Sequence, residues 1–270
     1  MPPRPEAATL FRRLHQGPDI LLLPNAWDAG SARLIESLGA KAIATTSAGM
    51  CWALGYPDGT MVPPAALRAA VAAMARAITV PLSVDIEGGY AADPAAVGES
   101  AAGVVEAGAV GVNIEDGNGT PDLLCAKIAA AKQAAARLGV DLFVNARTDV
   151  YLRGLAPAET RVAETLARAK RYAAAGADSI FVPGVTAADE IRALAAIDRP
   201  LALMARPALP PAAELAKLGV RRLSAGSAIA EQAMARTAAL AEGFLRDGRS
   251  DVVCDGAMPY PKVNALFKAD

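Results

Sequence analysis

Four stretches of the chain repeat one phrase: ESLGAKAIATT, VEAGAVGVNIE, AAAGADSIFVP and AKLGVRRLSAG. In each, a helical stretch meets a glycine and then an apolar run. A glycine directly after a helix suits the left-handed residue that ends it, and the apolar run begins a strand. A chain that keeps returning to this junction alternates helix with strand, which builds a parallel sheet. The apolar runs are DILLLPN (19–25), KAIATTS (41–47), PLSVDIE (81–87), AVGVNIE (109–115), DLFVNART (141–148), DSIFVPG (178–184), PLALMA (200–205) and VRRLSAG (220–226). Apolar spacing of i, i+3, i+4 predicts helices between them, over 28–38, 64–77, 94–107, 122–138, 158–175 and 186–196. Eight such units predict a (β/α)8 TIM barrel in one domain over residues 1–270, with an N-terminal helix and a C-terminal helical extension. A doubly wound open sheet is the competing architecture. The first strand runs into LLLPNAWDAGSA, however, which lacks the G-x-G-x-x-G of that fold.

Charge and cysteine content narrow the function classes. Lys+Arg 27 against Asp+Glu 28 leaves a net charge of -1, so no electrostatic footprint of a nucleic-acid or membrane-surface binder exists. Cys51, Cys125 and Cys254 are odd in number and widely spaced, which fits neither a disulfide framework nor a zinc ribbon. The opening MPPRPEAATLFRRLHQG lacks the apolar core of a secretory signal, and no window reaches membrane-spanning length without charge or proline. A cytoplasmic protein is the expectation. His15 is the single histidine, read as a helix-surface or helix-end residue, so histidine triads and multi-histidine metal sites are excluded.

Barrel strands are apolar almost throughout, and active sites of such barrels stand at the strands' C-terminal ends, so polar residues there need a reason. They are Asn25, Thr46, Ser47, Asp85, Glu87, Asn113, Glu115, Asn145 and Arg147, all from the first five strands. Read as strand positions i and i+2, Asp85 and Glu87 point to one side, about 6 to 7 Å apart. With Glu115 they make three like charges in one cleft beside a single cation, Arg147. Such charges repel unless a cation neutralises them or some stay protonated, and a hard divalent ion is the simpler answer. Mg2+ keeps several waters and takes one or two carboxylates directly, with Mn2+ as the substitute. It would polarise a substrate carbonyl or enolate oxygen, leaving Arg147 to fork a substrate carboxylate. A salt-bridge network at the barrel mouth is the bland alternative.

Three motifs carry a family resemblance: SVDIEGGYA resembles D-x-D-T-G-Y/F-G, VNIEDG resembles the L-E-D motif, and NARTD resembles A-R-x-[DE]. In this order and spacing they resemble the phosphoenolpyruvate mutase / isocitrate lyase superfamily, from about Leu21 to Gly226. The resemblance implies a barrel with a helix swapped between protomers, assembled as a homodimer or homotetramer. It also implies Mg2+ held directly by Asp85 and directly or through water by Glu87 and Glu115. Ser47, Ala48 and Gly49 stand where the family's S-G-[GL] loop binds the oxygens of a small carboxylate substrate through backbone N–H groups and the serine hydroxyl. Asp58, in LGYPDGTMVP, matches the aspartate of a loop that closes over the substrate, although Pro-Asp-Gly is a turn signal in its own right. Arg147 would bind the substrate carboxylate. Asn113 and Asn145 would be supporting donors, and asparagines capping strand ends give the same pattern.

The departures are equally specific. The K-K-C-G-H gating loop of the lyases is replaced by IEDGNGTPDLLCAKIAAAK, in which Cys125 reads as a packed helix position. Glu87, Gly88 and Ala91 replace the motif's aspartate, threonine and final glycine. The expectation is a Mg2+-dependent lyase acting on a small 2-oxo or 2-hydroxy (di)carboxylate through an enolate-like intermediate, by C–C cleavage or decarboxylation. The alternatives are P–C bond chemistry and a non-catalytic oxo-acid-binding protein. A Schiff-base aldolase is disfavoured, because none of the eight strand ends carries a lysine.

Overall fold

The computed structural model describes residues 4–59 and 62–268. Nine strands form one parallel sheet: β1 (Leu21–Leu23), β2 (Asn25–Ala26), β3 (Ile43–Thr45), β4 (Leu82–Asp85), β5 (Gly111–Glu115), β6 (Phe143–Arg147), β7 (Ser179–Phe181), β8 (Leu201–Met204) and β9 (Val220–Ser224). Their order is β1-β9-β8-β7-β6-β5-β4-β3-β2. The first predicted strand is cut in two at Pro24, which has no N–H to give to a ladder. Its first half pairs β9 and its second half pairs β3, so the two ends of the sheet are halves of one stave. The Asn25 side chain reinforces the closure, donating to the Thr45 carbonyl (2.8 Å) and accepting from the Gly226 amide (2.9 Å). The result is the expected eight-stave (β/α)8 barrel.

The repeated junction does what its chemistry demands. Gly39, Gly108, Gly176 and Gly219 end their helices at φ values of 97°, 110°, 109° and 96°, a region that L side chains avoid. Helix starts are equally marked. The Asp28 carboxylate accepts from the Ser31 amide at 2.7 Å, the Thr120 hydroxyl accepts from the Leu123 amide at 3.3 Å, and prolines open the helices Pro64–Ala77, Pro94–Glu106 and Pro121–Arg137.

The N-terminal helix Pro5–Leu14 closes the bottom of the barrel. Phe11 meets the Phe143 ring edge to face at 5.1 Å, and His15 stacks on Phe143 at 4.1 Å. His15 caps the helix end, as expected, but is 2% exposed rather than on the surface. Its Nδ1 bonds the Phe11 carbonyl at 2.8 Å, and burial, with the field of Arg222, lowers its pKa to about 3. The folded state therefore excludes a proton that the unfolded chain accepts near pH 6.5, so this position loses stability as pH falls through 6.5 toward 3. His15→Phe should flatten that part of the acid limb in urea melts between pH 7 and 4; an unchanged limb would refute the assignment.

At the other end of the chain, the helix Ala228–Asp247 buries little, and Leu245 is 82% exposed. Shorter helices, Ser250–Cys254 and Tyr260–Ala265, follow, and the Leu266 carbonyl returns to accept from Arg33 Nε at 2.6 Å. Among the described residues no helix is long and apolar enough to cross a membrane.

Candidate active site

The predicted polar residues meet at the C-terminal mouth, held there by strand register. Asp85 pairs with Asn113, Asn113 with Asn145, and Glu115 with Arg147, so neighbouring strands present them to one face. Glu87 arrives differently from the expectation. β4 ends at Asp85, and Glu87 lies in the turn beyond it at φ 50°, so strand alternation does not place it. The turn is fixed by the Asp85 carboxylate, which accepts from the Glu87 amide at 2.9 Å, and by buried Lys127, whose Nζ donates to the Gly88 carbonyl at 2.6 Å. Tyr90, at φ 60°, is the second non-glycine residue of this turn in the left-handed region. Such strain persists where surrounding structure over-determines it, and it gathers at functional sites.

Arg147 stands between two carboxylates. Its Nη1 lies 2.8 Å from Glu115, while Nε and Nη2 fork Asp149 at 2.6 and 3.2 Å. The two bonds to Asp149 use two of the five guanidinium N–H donors, while Nη1 meets Glu115 as an ion pair. Asp149 also accepts from Arg153, and its amide donates to buried Asp116 at 2.8 Å. Asp116 in turn accepts from Arg168 (2.9 Å) and from the Tyr172 hydroxyl (2.7 Å). Neither Asp116 nor Asp149 figured among the predicted site residues, although both sit in the quoted motifs, one residue past VNIE and two past NAR.

The cluster holds more carboxyl groups than Arg147 can keep ionised. Burial and the charge of Asp85 push Glu87 up to about 7. Burial pushes Glu115 up to about 8 despite its arginine, and burial raises Asp85 against the opposing pull of Arg147. Glu87 Oε1 is buried without a hydrogen-bond partner. A buried, unpaired carboxyl in a carboxyl-rich cleft suits a divalent cation, although Asp85 and Glu115 do not fall with Glu87 in one close donor group. One group of three donor atoms among the described residues lies within 4.8 Å of one another: Cys51, Asp58 and Glu87. Asp58 is exposed in its turn, residues 60 and 61 of its loop lie outside the described residues, and burial beside Glu87 and Asp58 pushes the Cys51 thiol up to about 11. Cys51 was not singled out from the sequence. Cys125 is half-buried on the helix Pro121–Arg137.

Ser47, Ala48 and Gly49 form the first turn of a short helix, Ser47–Ala53, rather than an open loop. The Gly49 amide faces the Thr46 hydroxyl at 3.5 Å. A Cβ at Gly49 would lie 2.7 Å from Thr46 Cγ2 and 2.8 Å from Trp27 Cβ, so packing alone requires this glycine. The Ser47 and Ala48 amides, by their place in the first turn, have no carbonyl one turn back to bond.

Comparison with known proteins agrees with this geometry. The phosphoenolpyruvate phosphomutase family matches residues 11–245. An uncharacterized protein of Mycobacterium tuberculosis is 37% identical over 261 residues, covering 94% of this chain and 95% of its own. The oxaloacetate decarboxylase of Paraburkholderia xenovorans is 34% identical over 236 residues, covering 81% of this chain and 76% of its own. The solved structure of a candidate phosphonomutase from Burkholderia cenocepacia J2315 is 44% identical and superposes with a TM-score of 0.83, over 88% of this chain and 99% of that one. With motifs, barrel and mouth in agreement, the chain belongs to the phosphoenolpyruvate phosphomutase family and is an enzyme of the phosphoenolpyruvate mutase / isocitrate lyase superfamily of lyases and mutases.

Proposed function

We propose that the chain is a Mg2+-dependent lyase that cleaves a carbon–carbon bond, by retro-aldol cleavage or decarboxylation, in a small 2-oxo or 2-hydroxy (di)carboxylate. The observation that carries the reading is the excess of carboxyl groups over cations at the mouth, beside an arginine whose hydrogen bonds to Asp149 leave guanidinium donors over. Asp85 would hold the cation directly, and Glu87 and Glu115 would hold it directly or through water. Bound there, the cation supplies positive charge where an oxygen of the substrate becomes negative as the bond breaks.

The residues do the rest. Arg147 offers its remaining donors to the substrate carboxylate, while Glu115 and Asp149 fix the plane of its guanidinium. The Ser47 and Ala48 amides and the Ser47 hydroxyl face the developing charge at the start of a helix. Asp58 approaches from the loop above. A proton for the cleaved carbon is held nearby at neutral pH on the Cys51 thiol, which burial pushes up to about 11 beside Glu87 and Asp58. The apolar side chains that the C-terminal helices leave exposed, Phe244, Leu245 and Tyr260 among them, support a homodimer or homotetramer.

The experiment is a panel of oxaloacetate, 2-methylisocitrate, 2,3-dimethylmalate and phosphonopyruvate with Mg2+, read by pyruvate formation and phosphate release. The expected result is turnover of a carboxylate without phosphate release, abolished by EDTA and restored by Mg2+. Similarity to the candidate phosphonomutase supports P–C chemistry as the second reading, and phosphate released mole for mole with pyruvate would establish it. Tight oxo-acid binding without turnover would make the chain a binding protein.

A further inference from the structure

The barrel interior holds a cation that the site described above does not use. Arg222 stands on β9, in register with Leu21 of β1 and Ala202 of β8, and its side chain is enclosed, 1% exposed. Its neighbour Arg221 falls on the opposite face of the strand and is half-buried. Among the described residues no carboxylate lies within salt-bridge distance of Arg222, and Nη1 has no hydrogen-bond partner. A buried guanidinium without an ion-pair partner is an expensive residue, and an apolar side chain of like volume would fill the space more cheaply. Burial lowers its pKa to about 10, which leaves it charged at neutral pH, and the carboxylate whose field opposes that shift is Asp85.

Its one hydrogen-bonded side-chain partner explains where it acts. Arg222 Nη2 donates to Asn113 Oδ1 at 3.1 Å, and Asn145 Nδ2 donates to the same oxygen at 2.8 Å. The Asn145 oxygen is itself taken by the Ser179 hydroxyl. With Oδ1 held by two donors, the Asn113 amide has one orientation, and its nitrogen is left for Asp85, the residue paired with it in register on β4. We propose that Arg222 is a positioning residue: from the middle of the barrel it locks the Asn113 amide, which in turn holds Asp85 in place for a divalent cation.

The proposal rests on Asp85 being a metal ligand, and Mn2+ binding, followed by electron paramagnetic resonance on the full chain, tests it without any assay of turnover. Outer partners of a metal ligand contribute about 10- to 100-fold to affinity. Arg222→Met should weaken Mn2+ binding by that range while keeping a cooperative melt, and Arg222→Lys, which keeps the charge and one donor, should recover most of it. Asn113→Leu should weaken binding to the same extent, and the double variant should lose no more than either single one, because both act through one contact. Mn2+ affinity of both single variants within twofold of the parent overturns the proposal. If Arg222→Met does not fold, Asn113→Leu decides it by the same criterion. If the parent chain binds no Mn2+, the metal reading fails instead. A crystal structure of Arg222→Met then decides the relay: an Asn113 amide unmoved from Asp85 overturns it.

Discussion

Asp85→Ala should lower metal-dependent turnover by about 10³-fold or more, the scale of losing charge stabilisation at a reacting oxygen. The same substitution should not unfold the protein. Asp85 is a carboxylate that burial already disfavours, held by Arg147, the Glu87 amide and Asn113. Removing it relieves repulsion on Glu87 and Glu115, both of which count its charge among the causes of their raised pKa. Thermal stability without metal should therefore hold or rise while Mg2+ stops stabilising the fold. The Glu87 carboxyl should fall back from about 7 toward the ordinary range. Calorimetry with and without Mg2+, beside initial rates, separates the two effects. Full activity of the variant, or full activity of the parent in metal-free buffer, would sink the mechanism.

Most of the fold was legible because its signals are local. A glycine that ends a helix at φ near 100° and a strand apolar on both faces leave marks that need no partner to read. The positions of the candidate residues were legible where strand ends fix them: Asp85, Asn113, Glu115 and Arg147 stand side by side in register. It was not legible where backbone departs from the strand. Glu87 was placed by alternation, yet its position comes from a left-handed turn pinned by a lysine 40 residues later in the sequence, Lys127. Gly49 resembles a substrate-facing glycine, but Trp27, Thr46 and Ala230 crowd it, which only three-dimensional packing reveals.

Arg222 escapes a reading of strand ends because it lies inside β9. The signal was nevertheless present: two consecutive arginines in a strand of a closed barrel point to opposite faces, so one of VRRLS had to enter the interior. Asp149 and Asp116 were passed over for a related reason. They lie just past the strands, where a sequence shows a carboxylate but not the arginines and tyrosine that fold back on it.

Arg147→Met should cost both stability and substrate affinity, with a pH dependence that identifies the cause. Asp149 is 0% exposed and keeps only the half-exposed Arg153 as a cation once Arg147 is gone. Breaking a buried pair in this way typically costs about 3–5 kcal/mol, which for a chain of this size lowers Tm by roughly 10 °C. Glu115 adds a term that depends on pH. Its folded pKa, about 8, lies above the unfolded 4.5, so its contribution to stability is fully present below 4.5 and is lost as pH rises through 8. Arg147 is the cation that restrains this shift, and without it the carboxyl keeps its proton to higher pH at a growing cost. The stability gap between parent and variant should therefore be wider at pH 9 than at pH 6 in urea melts, while KM for the substrate carboxylate rises at both. Arg147→Lys should restore part of the stability but little of the affinity, since an ammonium cannot make the forked contact. A gap of equal width at the two pH values would show that Glu115 does not feel this arginine, leaving Asp149 as the whole of its structural role.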